Sequence, residues 1–197
     1  MIIAAGGGRR IGGPEALLHQ GEKSLVDQML ETVRDGGCAP VVVVLGAAAH
    51  RVRKTAELTG AKVVVNRKWG TGVGSSMRAG LDALADDDIE AVVVVPVDMP
   101  GVTADAVRRV AALPYPDVLV CATYEGLRSY PMLFGRRHWP GIASLTNADV
   151  GARAYLLAHK DDIVEIACDG IADGARVDSP ELVEAWGLTV PAQREGD

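Results

Sequence analysis

Short uninterrupted apolar runs recur along this chain, and between them apolar residues return at the three-to-four-residue spacing of helices. The runs at residues 1–4, 41–45, 62–65, 91–97 and 117–123 are mostly β-branched and lack polar alternation, as in strands covered on both faces. After the first run, Leu25, Met29, Leu30 and Val33 share one helical face, and Gly36 and Gly37 stop the helix. Residues 51–58, 75–84 and 103–113 read as helices in the same way. The alternation predicts an α/β fold: a single doubly wound, mostly parallel sheet with helices on both faces.

The pattern loosens after Thr123. Residues 124–134 predict a hairpin, a small antiparallel excursion in the C-terminal half. Pro131 places it at a sheet edge, because proline cannot donate to a ladder. Helices are predicted at 152–159 and 180–186, flanking a strand at 162–167. No repeat, low-complexity tract or linker interrupts residues 1–190, which read as one domain, and 191–197 read as a frayed tail.

Composition narrows the class. A chain of 197 residues can bury one core, and 48% hydrophobic with only 4% aromatic content makes that core aliphatic. A net charge of −6 argues against nucleic acid and anionic membranes as partners, since both need a basic face. No run reaches the length of a membrane span, and no signal-peptide pattern precedes the first charges. Cys38, Cys121 and Cys168 are odd in number and form no CxxC pair, so they read as reduced thiols, and a soluble cytoplasmic protein is expected.

In an open α/β sheet, ligands collect where strand carboxyl ends lead into helices. Three chemically suggestive stretches fall there: AAGGGRRIGG after the first strand, NRKWGTGVGSS after the third, and VDMP after the fourth. In the first, Gly6, Gly7 and Gly8, then Gly12 and Gly13, let backbone N–H groups approach a ligand, and Arg9 and Arg10 add donors suited to phosphate. A P-loop is excluded by the absence of GxxxxGK[ST]. A dehydrogenase loop is a nearer rival, because Gly6, Gly8 and Gly12 approximate its spacing, but the second strand lacks the acid a ribose needs. No tyrosine is followed by a lysine four places on, as short-chain reductases require. A merely flexible loop is the remaining alternative. Asp86, Asp87 and Asp88 read as a solvated loop, and Arg136 to Trp139 read as an exposed helix face rather than a contact for an acidic acceptor.

IAAGGGRRIGGPE resembles the opening motif of MobA-like nucleotidyltransferases, and NRKWGTGVGSSMRAGL resembles that family's second motif. VDMP is similar to its metal-binding strand end. ADVGARAYL and VDSPELV resemble strings of the branch containing molybdenum cofactor cytidylyltransferases, so the likeness covers nearly the whole chain. The resemblance implies a Rossmann-like nucleotidyltransferase fold. It further implies Mg²⁺-dependent transfer of a nucleotidyl group, CMP favoured, from an NTP to a phosphorylated acceptor such as molybdopterin, with release of pyrophosphate. By the same resemblance, Asp98 is a metal ligand and Asp178 a second one. Ala5, Gly6, Gly7, Gly8, Arg9 and Arg10 would hold the triphosphate. Asn66, Gly72, Ser75 and Ser76 would serve the base and sugar, and Tyr130, Asp149 and Arg153 the acceptor.

Three departures stand out. Glu15 occupies the place of the family's lysine, Tyr130 stands where the branch has a histidine, and the first strand is short. A unit charge about 4 Å from a phosphate, at an effective dielectric near 20, is worth on the order of 4 kcal/mol, so the sign of residue 15 matters to catalysis. Lys23 could swing in, Glu15 could point away, or Glu15 could help hold a second Mg²⁺. The alternative to an active transferase is a nucleotide-binding relative with little catalysis, acting as carrier or regulator.

Overall fold

In the computed structural model, residues 1–145 and 152–190 are described. The strands are β1 (Ile2–Ala4), β2 (His19–Gln20), β3 (Lys23–Ser24), β4 (Val42–Leu45), β5 (Lys62–Val65), β6 (Ala91–Pro96), β7 (Leu119–Tyr124), β8 (Leu127–Gly135) and β9 (Ile163–Ala167). The helices are α1 (Leu25–Asp35), α2 (Ala49–Thr55), α3 (Val73–Ala83), α4 (Ala104–Val110), α5 (Trp139–Leu145), α6 (Arg153–Ala158) and α7 (Pro180–Ala185). Seven strands form one sheet in the order β5-β4-β1-β6-β8-β7-β9, parallel except for β8. A separate antiparallel ribbon, β2 with β3, was not legible in the apolar pattern because its strands are two residues each.

Each face of the sheet packs its own helices. On one face α1 and α4 meet through Leu30, Val33, Val107 and Val110 above Ile2, Val43 and Val95. On the other, Met77 and Leu81 of α3 and Ile142 of α5 pack over Ile3, Val44, Val94 and Phe134. The alternation of Ile2 with Ile3 and Val43 with Val44 sends successive side chains to opposite layers, which is why β4 is wholly apolar and wholly buried. Side-chain caps define three helix starts among the described residues: Ser24 accepts from the Asp27 amide at 3.3 Å, Thr103 from the Ala106 amide at 3.3 Å and Ser179 from the Leu182 amide at 3.4 Å.

The expected edge position of the 124–134 excursion is corrected. β8 lies inside the sheet, antiparallel to both β6 and β7. Pro131 is tolerated there because the register with β7 jumps from Cys121–Met132 to Ala122–Ser129, and pairing with β6 ends at Met132. The proline therefore occupies a bulge where no ladder hydrogen bond is lost. Chain economy also differs from expectation at β5, an edge strand whose Val65 is exposed. Residues 191–197, read as a frayed tail, lie outside the described residues.

Candidate functional site

A cleft of about 730 Å³ opens where the ends of β1 and β6 meet the bulged part of β8. The loop after β1 forms one wall. Gly8 turns it with φ +54°, and its carbonyl accepts from the amides of Ile11 at 3.0 Å and Gly13 at 3.2 Å. A side chain at Gly8 would overlap the Gly13 carbonyl, so only glycine closes this turn. Ala5 and Gly6 line the cleft; Arg9 and Arg10 point outward and are exposed. Trp69, in the turn before α3, lies against Gly7 and Gly46 and forms part of the same wall.

The second motif acts through a polar knot. Asn66 is buried, and its amide donates to Ser75 Oγ at 2.8 Å and Ser76 Oγ at 3.0 Å, while its Oδ1 accepts from the Lys68 amide at 2.9 Å. Ser75 in turn donates to the carbonyls of Gly72 and Lys68. Neither serine is the N-cap of α3, which is Gly72. They fix the helix start relative to β5, and of this motif Ser76, Val73 and Trp69 reach the cleft.

Two carboxylates and one guanidinium meet on the cleft floor. Asp98, two residues after β6, is only 8% exposed. Its Oδ2 accepts from Arg176 Nη2 at 2.7 Å and Nε at 3.0 Å, whereas its Oδ1 is buried with no hydrogen-bond partner. Glu15 opens a 3-10 turn, Glu15–Leu17, whose Ala16 and Leu17 are buried, and its Oε2 is likewise buried without a partner. Gly6 makes room for this carboxylate: a Cβ there would overlap Glu15 Oε2. Burial pushes the Glu15 carboxyl above its usual value, and the negative charge of Asp98 adds to the rise; backbone amides of Glu15 and Gly8, and Arg176, pull the other way. Arg176 loses stabilisation by burial, but Asp98 more than restores it, holding the guanidinium firmly charged.

Of the three ways the sequence left open for Glu15, two fail. Lys23 is engaged with Glu31 at 2.7 Å, and Glu15 points into the cleft rather than away. Asp178 forms an exposed ion pair with Arg10 at 3.2 Å and is not among the cleft-lining residues, so it does not join Asp98 there. Unpartnered carboxylate oxygens suit a hard divalent cation, and the Asp98 oxygen fits the expected metal role. Among the described residues no group of three or more His, Cys, Asp or Glu side chains forms a metal cage, so such an ion would depend on ligand oxygens too.

The opposite wall is made of side chains. Tyr130, in the β8 bulge, faces the cleft, and burial raises its phenol pKa. Met132, Cys121 and Ile163 form an apolar surface continued by Leu156 and Leu157 of α6. Leu157 is 70% exposed at the rim. Arg128, Arg153 and Lys160 ring this surface with positive charge, and Arg128 is steadied by Glu165 at 2.7 Å. Burial raises the Cys121 thiol pKa to about 11, which leaves it an inert part of the wall at neutral pH. Asp149 lies outside the described residues.

Arg176 and Trp69 carry weight that sequence reasoning did not assign. Trp69 was in plain view inside NRKWGTG. Arg176 could have been found from the string RVDS, since alternate residues of an extended segment share a side with Asp178. What seats it is Val177, fully buried, whose amide donates to the Asp98 carbonyl at 2.8 Å. Arg136, by contrast, donates to the carbonyls of Ala85, Asp87 and Ile89 and ties the loop before β6, as a structural residue would.

The MobA-like NTP transferase domain family matches residues 1–163. A nicotine blue oxidoreductase from Paenarthrobacter nicotinovorans is 36% identical over 189 residues, covering 92% of each chain. Among solved structures, Rv0371c from Mycobacterium tuberculosis H37Rv superposes with a TM-score of 0.82 at 25% identity, covering 94% of each chain. A molybdopterin-guanine dinucleotide biosynthesis protein A from Archaeoglobus fulgidus shares the fold at a TM-score of 0.61 and 15% identity, with 94% of each chain covered. The cleft between the glycine loop, the buried Asp98 and the β8 bulge is thus that of a chain belonging to the MobA-like NTP transferase domain family.

Proposed function

We propose that this protein transfers a nucleotidyl group, CMP favoured, from an NTP to a phosphorylated acceptor of the molybdopterin kind, releasing pyrophosphate. The observation that carries the reading is Asp98: a buried carboxylate with a free oxygen, on the floor of the cleft that the glycine loop borders. In-line attack of an acceptor phosphate on an α-phosphate brings two anions together, so the site must align them and offset their charge. The loop amides after β1 serve the triphosphate, and the α3 start, held by Asn66, serves the sugar and base. On the other wall Tyr130 and the apolar surface receive the acceptor body, and Arg153 its negative group. Mg²⁺, held by Asp98, would neutralise phosphate charge and polarise the phosphoryl oxygens. The reacting phosphate supplies its own nucleophilic oxygen, so no side chain needs to form a covalent intermediate.

A second reading is favoured by Glu15 and by the 36% identity to a chain named as an oxidoreductase. In it, the cleft binds a nucleotide but does not transfer it. Thermal shifts with CTP, GTP and ATP, with and without Mg²⁺, followed by pyrophosphate release with molybdopterin supplied, separate the two. The transferase reading expects Mg²⁺-dependent stabilisation, strongest with CTP, and pyrophosphate formed only when acceptor is present. Nucleotide stabilisation with no pyrophosphate would replace it with the second reading.

A further inference from the structure

Glu15 Oε2 and Asp98 Oδ1 are the buried side-chain oxygens, among the described residues, that have no hydrogen-bond partner. They line the same cleft, and each residue lies within the other's electrostatic reach. Two desolvated carboxylates facing one space repel each other unless something positive lies between them. Arg176 answers only part of this demand, because both of its contacts go to Asp98 Oδ2 and none to the two free oxygens.

The seating of Glu15 is not incidental. Pro14 precedes it, Ala16 and Leu17 anchor the turn in the core, and Gly6 must lack a side chain for the carboxylate to fit. These four positions thus seat a negative group in a cleft where a polyanion is expected. A cation seated there would relieve both bare oxygens at once.

We propose that Glu15 and Asp98 together hold one divalent cation of the Mg²⁺ or Mn²⁺ type, and that Arg176 is a latch that leaves Asp98 for a ligand phosphate when the site fills. The identity of that phosphate rests on the proposed function; the cation site does not. Without the ion, the two carboxylates and one guanidinium sum to one negative charge, which disfavours a polyphosphate. With it they sum to one positive charge, which favours one. Two protein oxygens suit such an ion, since Mg²⁺ keeps waters and takes phosphate oxygens in its remaining positions. Arg176 has room to swing, because its side chain is 54% exposed and, among the described residues, its ion pair is with Asp98. Its planar donors then match a phosphate as well as they match a carboxylate. The glutamate in place of a lysine is thereby a transfer of positive charge from one side chain to an ion and to Arg176.

The test is a Mn²⁺ titration of the nucleotide-free protein, following free Mn²⁺ by electron paramagnetic resonance. Glu15→Gln is expected to weaken Mn²⁺ binding by at least about tenfold, and Glu15→Asp, which keeps the charge but draws the carboxylate back, to weaken it comparably. Arg176→Gln is expected to leave Mn²⁺ binding intact or tighter, because a competitor for Asp98 is gone, while weakening Mg²⁺-dependent CTP binding by about tenfold. Wild-type Mn²⁺ affinity in both Glu15 variants would overturn the proposal, as would loss of Mn²⁺ binding in a folded Arg176→Gln. If Mn²⁺ binds as described but no nucleotide does, the cation site stands and the nucleotidyl-transfer reading falls.

Discussion

The two walls of the cleft are held in place by different means. The wall at β1 and β6 is a matter of backbone: a glycine turn, strand ends in parallel register, and the Glu15 carboxylate seated where Gly6 has no side chain. The wall at β7, β8 and β9 is a matter of side chains. A bulged strand, a short helix and an edge strand present an apolar face with cations around it. Under the proposed function the first wall serves the phosphates, through amides and charge. The second is the wall open to change, since its side chains can be replaced without disturbing the fold.

The contrast can be broken from either side. The largest effect is expected at Phe134 in β8, the chain's only phenylalanine and fully buried against α3 and α5. Phe134→Ala should cost about 3–5 kcal/mol in denaturant unfolding, because the cavity sits under the side-chain-built wall. A cost under about 1 kcal/mol would mean that this half of the sheet is not packed as described. Next comes Gly8→Ala, expected to cost about 2–3 kcal/mol from left-handed backbone strain and overlap with the Gly13 carbonyl. Nucleotide affinity should fall with it; retention of both would show that the first wall does not depend on its backbone.

The smallest effect has a sign that depends on pH. Glu15 has a raised pKa in the fold, so the folded protein holds this proton more tightly than the unfolded chain. The ionised form therefore destabilises the fold, with no penalty below the ordinary carboxylate value and a growing one as pH rises above it. With chelator present, Glu15→Gln should stabilise by on the order of 1 kcal/mol at neutral pH, with the gain shrinking toward about pH 4. A gain independent of pH would remove ionisation as its cause.

Much of this arrangement was legible before any coordinates. Solid apolar runs read as strands with two covered faces; β1, β4 and β6 fall where they predicted and are so covered, while β5 falls there as a partly exposed edge strand. The glycine loop, the β6 end and the α3 start did come together at one cleft. Pro131 misled because a local rule, no proline inside a sheet, was applied without knowledge of a register shift that only pairing creates. The pairing of Arg10 with Asp178 was likewise invisible in the sequence, since it joins residues far apart in the chain.

By itself, the sequence determined the layered α/β architecture and the strand ends at which chemistry could occur, because apolar periodicity and glycine are local properties of the chain. Only the tertiary structure decided that β8 lies inside the sheet, that Arg176 grips Asp98, and that Glu15 turns inward to leave an oxygen bare. These are contacts between residues far apart in the chain. Their energies exist only once packing has removed water and set the distances between charges.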